Sequence, residues 1–384
     1  MFKLMVLISL TLTQLVFAKT QQGWGVNVTD VKKEVSKVKI GGRFQSILSH
    51  DNETESQDFY IRRLRVNLVY QPWKGHTFNY DVRNDNANKA DGGEQQFVTG
   101  DAFWRIDYNK YSIKNFKFFR GKVDVSYSQT SSSKNLFNPT RAAVSEHASD
   151  YLVQNRRATN AQVNGNIQNL AYHLVISDGL QSGDLEDVAG NLGTVTINAQ
   201  KLTYGGKLRY FFIGDAYKNT AQDTFYGQQD TISLGIGYFT NDKLEITDLS
   251  NSFLTNYSYT RSLTNVEFSL AYQGFRFLSE YFVFHNDLMN AAGTTESDVL
   301  GDSNGYYAQT EYVFNKWAPY VIYESFDKNP DLRDGVQNIT TVGLNYYRMM
   351  EAQRGGIAYK KTSNGESIGN NEAESLYAYA MLNF

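Results

Sequence analysis

Arginine and lysine recur at every second position in several segments of this chain. Arg63 and Arg65 have this spacing in one segment, and Lys207 and Arg209 have it in another. Residues two apart project from the same face of a β-strand. Arginine presents a planar fork of donors that matches carboxylate and phosphate oxygens. The spacing therefore predicts strand faces that attract anions.

Further charged side chains fall on the polar face of a strand or in one long polar segment. The candidate pore-lining and anion-binding residues are Arg63, Arg65, Arg83, Arg105, Arg120, Lys122, Asp124, Lys134, Arg141, Arg156, Arg157, Lys207 and Arg209. Glu267, Glu311 and Lys360 are expected to face the same way. The alternative for any strand residue is pairing with Asp81 or Asp107 on a neighbouring strand, as a brace of the wall.

A hydrolase is one alternative, because Ser145, His147 and Asp150 have the residue types of a catalytic triad. The three lie within one loop and lack a recognisable oxyanion site. The five histidines show no metal-ligand spacing, and no phosphate-cradling or dinucleotide motif is present. We expect no enzymatic activity, no metal and no cofactor.

The two ends of the chain indicate export and membrane insertion. A short basic start precedes an apolar run at 4–17, and Ala18 offers a small residue for cleavage, which predicts a secretory signal peptide over 1–18. The alternative, a buried N-terminal helix, lacks capping and amphipathic patterns. Residues 376–384 alternate as an amphipathic strand that ends on Phe384. Such an end is typical of the last strand of an outer-membrane barrel, where it meets the barrel-assembly machinery.

Composition favours a barrel in a membrane. The 384 residues include 27 Tyr and 24 Phe but no Cys, and mean hydropathy is −0.47. Many aromatic residues in so hydrophilic a chain suit strands that alternate apolar-out and polar-in between aromatic girdles. The net charge of −3 argues against nucleic acid as a partner.

Sixteen segments have the length and alternation of barrel strands. They are 38–49, 58–71, 76–86, 99–110, 115–126, 158–165, 169–178, 198–213, 230–240, 262–273, 276–286, 305–315, 317–326, 338–348, 355–361 and 374–384. We predict an all-β fold, a transmembrane antiparallel β-barrel of about 16 strands over 38–384, after a periplasmic lead-in over 19–37. The even number lets the last strand meet the first. A soluble β-sandwich or propeller is the alternative.

Long and short connections alternate, and the third long loop stands out. At 127–157 it is longer than a simple connection requires. Folded inward, it would narrow the pore and set its charge; otherwise it would be a solvated surface loop.

In the strand before it, Val123 and Val125 are expected to face lipid, which would leave Arg120, Lys122 and Asp124 inside. An Arg or Lys facing lipid at the midplane would cost roughly 2–4 kcal/mol.

Several short motifs occur in the order found in one known family. Phe59–Tyr70 (FYIRRLRVNLVY) resembles the R-R-x-R strand of the phosphate-selective (polyphosphate-selective) porin family. The resemblance continues at Phe78–Val82, Arg120–Asp124, Thr130–Asn135 and Asn338–Tyr347. It implies a sixteen-stranded trimeric porin whose long third loop folds inward and whose lumen is lined by basic residues.

Two positions differ from the family pattern. Asp124 stands where the family often has lysine, and Ser126 replaces a proline.

We expect passive diffusion of small hydrophilic solutes across a Gram-negative outer membrane, with a preference for anions such as phosphate or carboxylates. The alternatives are a general, weakly selective porin and a structural or adhesive barrel without transport. The expected partners are outer-membrane lipid, lipopolysaccharide, small anionic solutes and two further copies of the chain.

Overall fold

The protein is described by a computed structural model over most of its length. The described residues are 37–89, 96–133, 135–153, 157–180, 183–186, 194–197, 201–215, 229–241, 244–246, 257–289, 302–327, 335–349, 352–365 and 372–383. The expected signal peptide over 1–18 and nearly all of the lead-in over 19–37 lie outside this range. Lys134, Arg156 and Phe384 do as well.

The described residues form nineteen strands. They are β1 (Lys37–Asp51), β2 (Gln57–Gln71), β3 (His76–Ala87), β4 (Val98–Lys110), β5 (Ile113–Gly121), β6 (Ala158–Ile167), β7 (Leu170–Leu180), β8 (Gly183–Glu186), β9 (Thr194–Ile197), β10 (Lys201–Ile213), β11 (Thr231–Asn241), β12 (Leu244–Ile246), β13 (Tyr257–Tyr272), β14 (Phe275–Met289), β15 (Ser303–Tyr312), β16 (Trp317–Asp327), β17 (Val336–Met349), β18 (Gln353–Asn364) and β19 (Glu372–Asn383). The short strands β8, β9 and β12 extend long connections, and the other sixteen form the wall.

The wall is closed. Each wall strand pairs antiparallel with the next, and β1 pairs with both β2 and β19, as in the pairs Arg43–Arg65 and Arg43–Asn383. Closure satisfies every backbone ladder, which a sheet in hydrocarbon requires. The prediction of an antiparallel barrel of sixteen strands is therefore confirmed. Among the described residues, no helix is long and apolar enough to cross a membrane.

Apolar side chains cover the outside of the wall. On β10, Leu208 and Tyr210 are exposed on the outside. Lys207 and Arg209, which alternate with them along the strand, are buried in the interior. Aromatic residues gather outside near the short turns, as an interfacial girdle does. This group comprises Tyr70, Trp73, Tyr108, Tyr111, Tyr272, Phe275, Tyr312, Phe314, Trp317 and Tyr346.

The connection between β5 and β6, residues 122–157, is called the internal loop below, and its described residues (122–133, 135–153 and 157) lie inside the barrel. They form two helices, α1 (Tyr127–Thr130) and α2 (Ala143–Tyr151). The Asn345 side chain of β17 donates to the Phe137 carbonyl at 3.0 Å, and Tyr377 of β19 donates to Asn138 at 2.8 Å. The loop thus crosses from β5 to the opposite wall.

A glycine allows the internal loop to approach the wall closely. A Cβ atom at Gly305 on β15 would lie 2.7 Å from a methyl group of Val144 on α2. Val144 belongs to a buried apolar cluster that also includes Phe282 and Phe284 of β14. The apolar side chains of α2 therefore pack against an inner wall surface that is itself partly apolar.

Candidate pore constriction

Three arginines lie side by side across the first three strands. Arg43 on β1 is the cross-strand partner of Arg65 on β2, and Arg65 is the partner of Arg83 on β3. We call this row the arginine ladder. With roughly 5 Å between neighbouring strands, it places three guanidinium groups along about 10 Å of wall. Like charges directly opposite each other destabilise a sheet, so the row costs stability unless other groups offset its charge.

One carboxylate, Asp85, lies between two members of the ladder. It forms salt bridges with Arg65 and with Arg83, the second at 3.3 Å. The side chains of both arginines are 19% exposed. Arg43 instead donates to neutral groups, Asn383 at 2.8 Å and Ser132 of the internal loop at 3.0 Å.

Arg141 of the internal loop faces the same region. It donates to the carbonyls of Ser128 at 2.8 Å and Ser131 at 2.7 Å, which holds its guanidinium in place. Its charge acts repulsively on Arg43 and on Arg63. The loop and the ladder therefore bring four arginines, Arg141 and the three of the ladder, around one part of the interior.

A second basic group lines β4 and β5. Arg105 and Lys117 are cross-strand partners, and Arg105 also lies 3.0 Å from Asp107. The Lys117 ammonium lies 4.1 Å from the ring centre of Phe119. Two predicted residues lie at the ends of the internal loop. Arg157 pairs with Asp101 at 2.8 Å, and Lys122 donates to Gln129 at 2.5 Å.

Lys207 and Arg209 do not line open water, which corrects the sequence prediction for both. Their side chains are 2% and 7% exposed. Lys207 lies 2.8 Å from Glu267 and 3.3 Å from Asp124, and Arg209 pairs with Glu267. Burial alone would raise the pKa of Asp124, but Lys207 and the neighbouring His173 and Arg209 lower it below its usual range. These side chains brace the internal loop against the wall.

Arg63 was also predicted to line the pore, and it is 1% exposed. Its guanidinium donates to Gln45 and to the Pro139 carbonyl of the internal loop, each at 2.6 Å. Arg63 and Arg65 lie on the same strand face, but the internal loop covers the first and leaves the second partly open. The prediction that Arg63 lines the pore is therefore wrong. Strand alternation alone could not show this, because it does not reveal where the internal loop covers the wall.

The prediction for Arg120 is wrong in register. β5 ends at Gly121, so Val123 and Val125 lie in the internal loop, 2% and 1% exposed, and not against lipid. Arg120 shares the outward side of β5 with Phe118, because it pairs with Ala102 while Phe118 pairs with Trp104. It donates to the carbonyls of Thr99 and Gly100 at 3.1 and 2.8 Å.

The side chains considered for a hydrolase lie on α2 in other surroundings. Ser145 is fully buried and lies 2.9 Å from the Ser126 hydroxyl. The His147 ring packs against Phe284 and Phe326, with ring centres 4.9 and 5.0 Å apart. Within the described ranges, no group of three His, Asp or Glu side chains could hold a metal ion.

Several interior charges were not singled out from the sequence. They are Arg43, Lys117, Arg261, Arg276, Glu280 and Arg354. The alternation of Phe116, Lys117 and Phe118 was a signal that could have placed Lys117 inside. Arg43 precedes the outward Phe44 in the same way, and Arg276 stands between Phe275 and Phe277. The other three, Arg261, Glu280 and Arg354, are distinguished only by contacts between distant parts of the chain.

A closed barrel that is apolar outside and charged inside, with a long loop folded into it, defines a channel of the porin class. The family model described as phosphate-selective porin O and P matches residues 38–374, and the chain belongs to this family. It is therefore an outer-membrane channel protein. No curated protein sequence matches the chain.

Solved structures of other porins share the fold. The anion-selective porin from Comamonas acidovorans is 12% identical, with a TM-score of 0.58 over 91% of this chain and 100% of that chain. Salmonella typhi OmpF, solved with daunomycin, is 11% identical, with a TM-score of 0.59 over 92% of this chain and 99% of its own. OmpT of Vibrio cholerae without its loop L8, an outer membrane protein, is 11% identical, with a TM-score of 0.56 over 91% and 99%. At these identities the likeness concerns the fold alone.

Proposed function

We propose that this porin allows passive diffusion of small hydrophilic solutes through a water-filled channel and prefers anions such as phosphate or carboxylates. The observation that supports this preference is the arginine ladder with Arg141 of the internal loop beside it. The family to which the chain belongs is described as phosphate-selective, and one porin of the same fold is described as anion-selective.

The local charge balance favours anions. Four positive groups, Arg43, Arg65, Arg83 and Arg141, lie near two carboxylates, Asp81 and Asp85, which leaves two positive charges in excess (four minus two). In a narrow aqueous passage with low-dielectric walls, such an excess raises the local concentration of anions. Guanidinium groups are weakly hydrated, so an oxyanion can replace their water readily.

A general, weakly selective porin is the second candidate. Arg105 with Asp107 and Arg157 with Asp101 are pairs in which each positive charge is matched by a negative one. If such pairs dominated the narrowest region, the passage would have little net charge. The two candidates differ in the sign and size of ion selectivity, which can be measured directly.

The test is a planar-bilayer recording of the purified porin in a gradient of KCl. We expect a reversal potential that favours Cl⁻ over K⁺, and we expect it to move toward zero in the triple variant Arg43→Gln, Arg65→Gln, Arg83→Gln. Arg348→Gln is the matched control, because Arg348 is exposed at a bulge of β17, three strands from β1 and outside the ladder. Cation selectivity of the unmodified porin would contradict the proposal, and an absence of channels would favour a structural barrel.

The proposal also includes how the porin reaches the membrane and assembles there. The outward aromatic group of Trp73, Phe78, Trp104 and Phe118 suits contact with outer-membrane lipid or with a neighbouring copy in a homotrimer. Export by a signal peptide over 1–18, contact with lipopolysaccharide and recognition of Phe384 by the barrel-assembly machinery complete the expected route. Crosslinking of the purified porin in detergent measures its oligomeric state.

A further inference from the structure

A buried carboxylate of the wall holds the start of α1. Glu280 on β14 is 0% exposed. It accepts hydrogen bonds from the Ser126 hydroxyl at 2.7 Å, the Tyr127 N–H at 2.8 Å and the Ser128 N–H at 3.2 Å. Three consecutive residues of the internal loop are thus attached to one side chain of the barrel.

A second wall carboxylate holds the start of α2. Ala142 occupies the N-cap position and has no side chain that can accept from the first turn. Glu324 on β16, 7% exposed, accepts the Ala143 N–H at 2.5 Å instead. Because free N–H groups at a helix start need acceptors, Glu324 replaces the missing cap from another element. The Ser126 and Ser145 hydroxyls, 2.9 Å apart, connect the two attached helices.

Glu311 provides a comparison for this role. It is a wall carboxylate on β15 that is 1% exposed. Its carboxylate accepts from the Tyr347 hydroxyl of β17 at 3.4 Å. Glu280 also has wall partners, since it accepts from Tyr307 and from Asn265 at 3.2 Å, but three further donors to it belong to the internal loop. Glu280 therefore joins the wall to the loop.

The two attachment points enclose the part of the loop that faces the arginine ladder. Between Ser128 and Ala143 lie Ser132, which accepts from Arg43, and Arg141. The internal loop occupies part of the barrel interior, so its position limits the space left for a passage. A change in attachment at either end would change that space while leaving the wall itself intact.

We propose that Glu280 and Glu324 are positioning residues that fix the width of the passage by tying the starts of α1 and α2 to the wall. This inference rests on the proposed function only in that a channel exists; it does not require anion preference. Glu280→Gln keeps the side-chain size but turns one of two occupied acceptor oxygens into a donor that faces N–H and hydroxyl groups. Glu324→Ala removes the oxygen that accepts the Ala143 N–H.

The first readout is permeation of uncharged sugars of increasing size into proteoliposomes. Because the sugars carry no charge, their entry reports width and not selectivity. We expect the double variant Glu280→Gln, Glu324→Ala to admit larger sugars than the unmodified porin. Glu311→Gln is the matched control and should leave the size limit unchanged, and heat-modifiable migration verifies that each barrel is folded.

The second readout is the accessibility of α2. The chain has no cysteine, so Ser149→Cys, at a buried position on α2, gives a single labelling site. Leaving buried N–H donors without their acceptors shifts an attached–released equilibrium by about tenfold or more, so maleimide labelling should accelerate by about that factor in the double variant. Ser149→Cys in the Glu311→Gln background should label at the unmodified rate.

The outcomes separate the two proposals. Faster labelling and a larger size limit in the double variant, together with weak ion selectivity of the unmodified porin, would support the positioning role and contradict the anion preference. Unchanged labelling and an unchanged size limit in a folded double variant would overturn the positioning role, whatever the ion selectivity.

Discussion

Asp85 joins Arg65 to Arg83, and so one carboxylate offsets the repulsion between two members of the arginine ladder. Its Oδ1 atom accepts from Arg65 Nε at 3.1 Å, and its Oδ2 atom lies 3.3 Å from Arg83 Nη1. Arg63 is its cross-strand partner on β2. The third member of the ladder, Arg43, is held by neutral partners and by the internal loop. The ladder therefore combines strong positive charge with fixed geometry.

Asp85→Asn should increase anion selectivity while lowering stability. The substitution removes the negative charge between Arg65 and Arg83, and the loss of charged hydrogen bonds costs about 1–3 kcal/mol. We expect a reversal potential shifted further toward that of Cl⁻, and conversion of the folded to the heat-denatured gel form at a lower temperature. Asp107→Asn, which removes a carboxylate beside Arg105 only, should show a smaller shift. An unchanged reversal potential in Asp85→Asn would show that Asp85 does not influence ion selectivity.

Arg63→Gln and Arg65→Gln should have different effects although the two residues share a strand face. Arg65 is partly exposed beside the ladder, so its loss should weaken Cl⁻ preference. Arg63 is buried and holds the Pro139 carbonyl, so its loss should loosen the internal loop at a cost of about 1–3 kcal/mol. Reversal potentials and gel-shift temperatures measured on both variants test this. Equal changes in selectivity would show that both side chains line the passage.

The sequence predicted the wall well because lipid imposes a strict alternation on each strand. All sixteen wall strands were anticipated, as was the inward side of Arg65 and Arg105. The connection between β4 and β5 was also anticipated, but its conformation was not, since Tyr111 and Ser112 both have a positive φ, 53° and 65°, in a pair without glycine or asparagine. Such turns usually contain one of those two residues.

The interior was predicted less well, and the reason is physical. Alternation separates two sides of a strand, but it does not tell lipid from an apolar loop inside the barrel. Val123 and Val125 continue the alternating pattern past Gly121 and pack inside the barrel. Likewise, the burial of Arg63 and Lys207 depends on where the internal loop crosses, which is decided by contacts such as that with Glu280.

Arg120→Gln should leave ion selectivity unchanged. Arg120 lies on the outward side of β5 at its end and donates to backbone carbonyls of β4. Charged residues near the membrane interface change barrel stability by about 0–1 kcal/mol. We expect reversal potential and gel-shift temperature close to those of the unmodified porin. Arg65→Gln, measured in parallel, provides the positive control. A loss of Cl⁻ preference in Arg120→Gln would place its side chain at the passage after all.

The attachment made by Asp124 should persist across the neutral and mildly acidic range. Its pKa is lowered in the folded porin, so the stabilisation it gives is present above the ordinary carboxyl pKa of about 3.9 and is lost only as pH falls through the lower folded value. The difference in gel-shift temperature between the unmodified porin and Asp124→Asn isolates this carboxylate, and it should therefore be the same at about pH 5 and at about pH 8. A difference that shrinks at the lower pH would show that Asp124 titrates within that range.

Asp124→Lys should destabilise the internal loop and not create a phosphate site. Asp124 lies 3.3 Å from the Lys207 ammonium and accepts from Thr130 at 3.0 Å. A lysine at this position would bring a third cation beside Lys207 and Arg209 with only Glu267 to balance them. We expect faster labelling of Ser149→Cys and no increase in block of the Cl⁻ current by inorganic phosphate. Asp124→Asn, which removes charge without adding any, should label at an intermediate rate. Stronger phosphate block with unchanged labelling would instead show that position 124 faces the permeating anion.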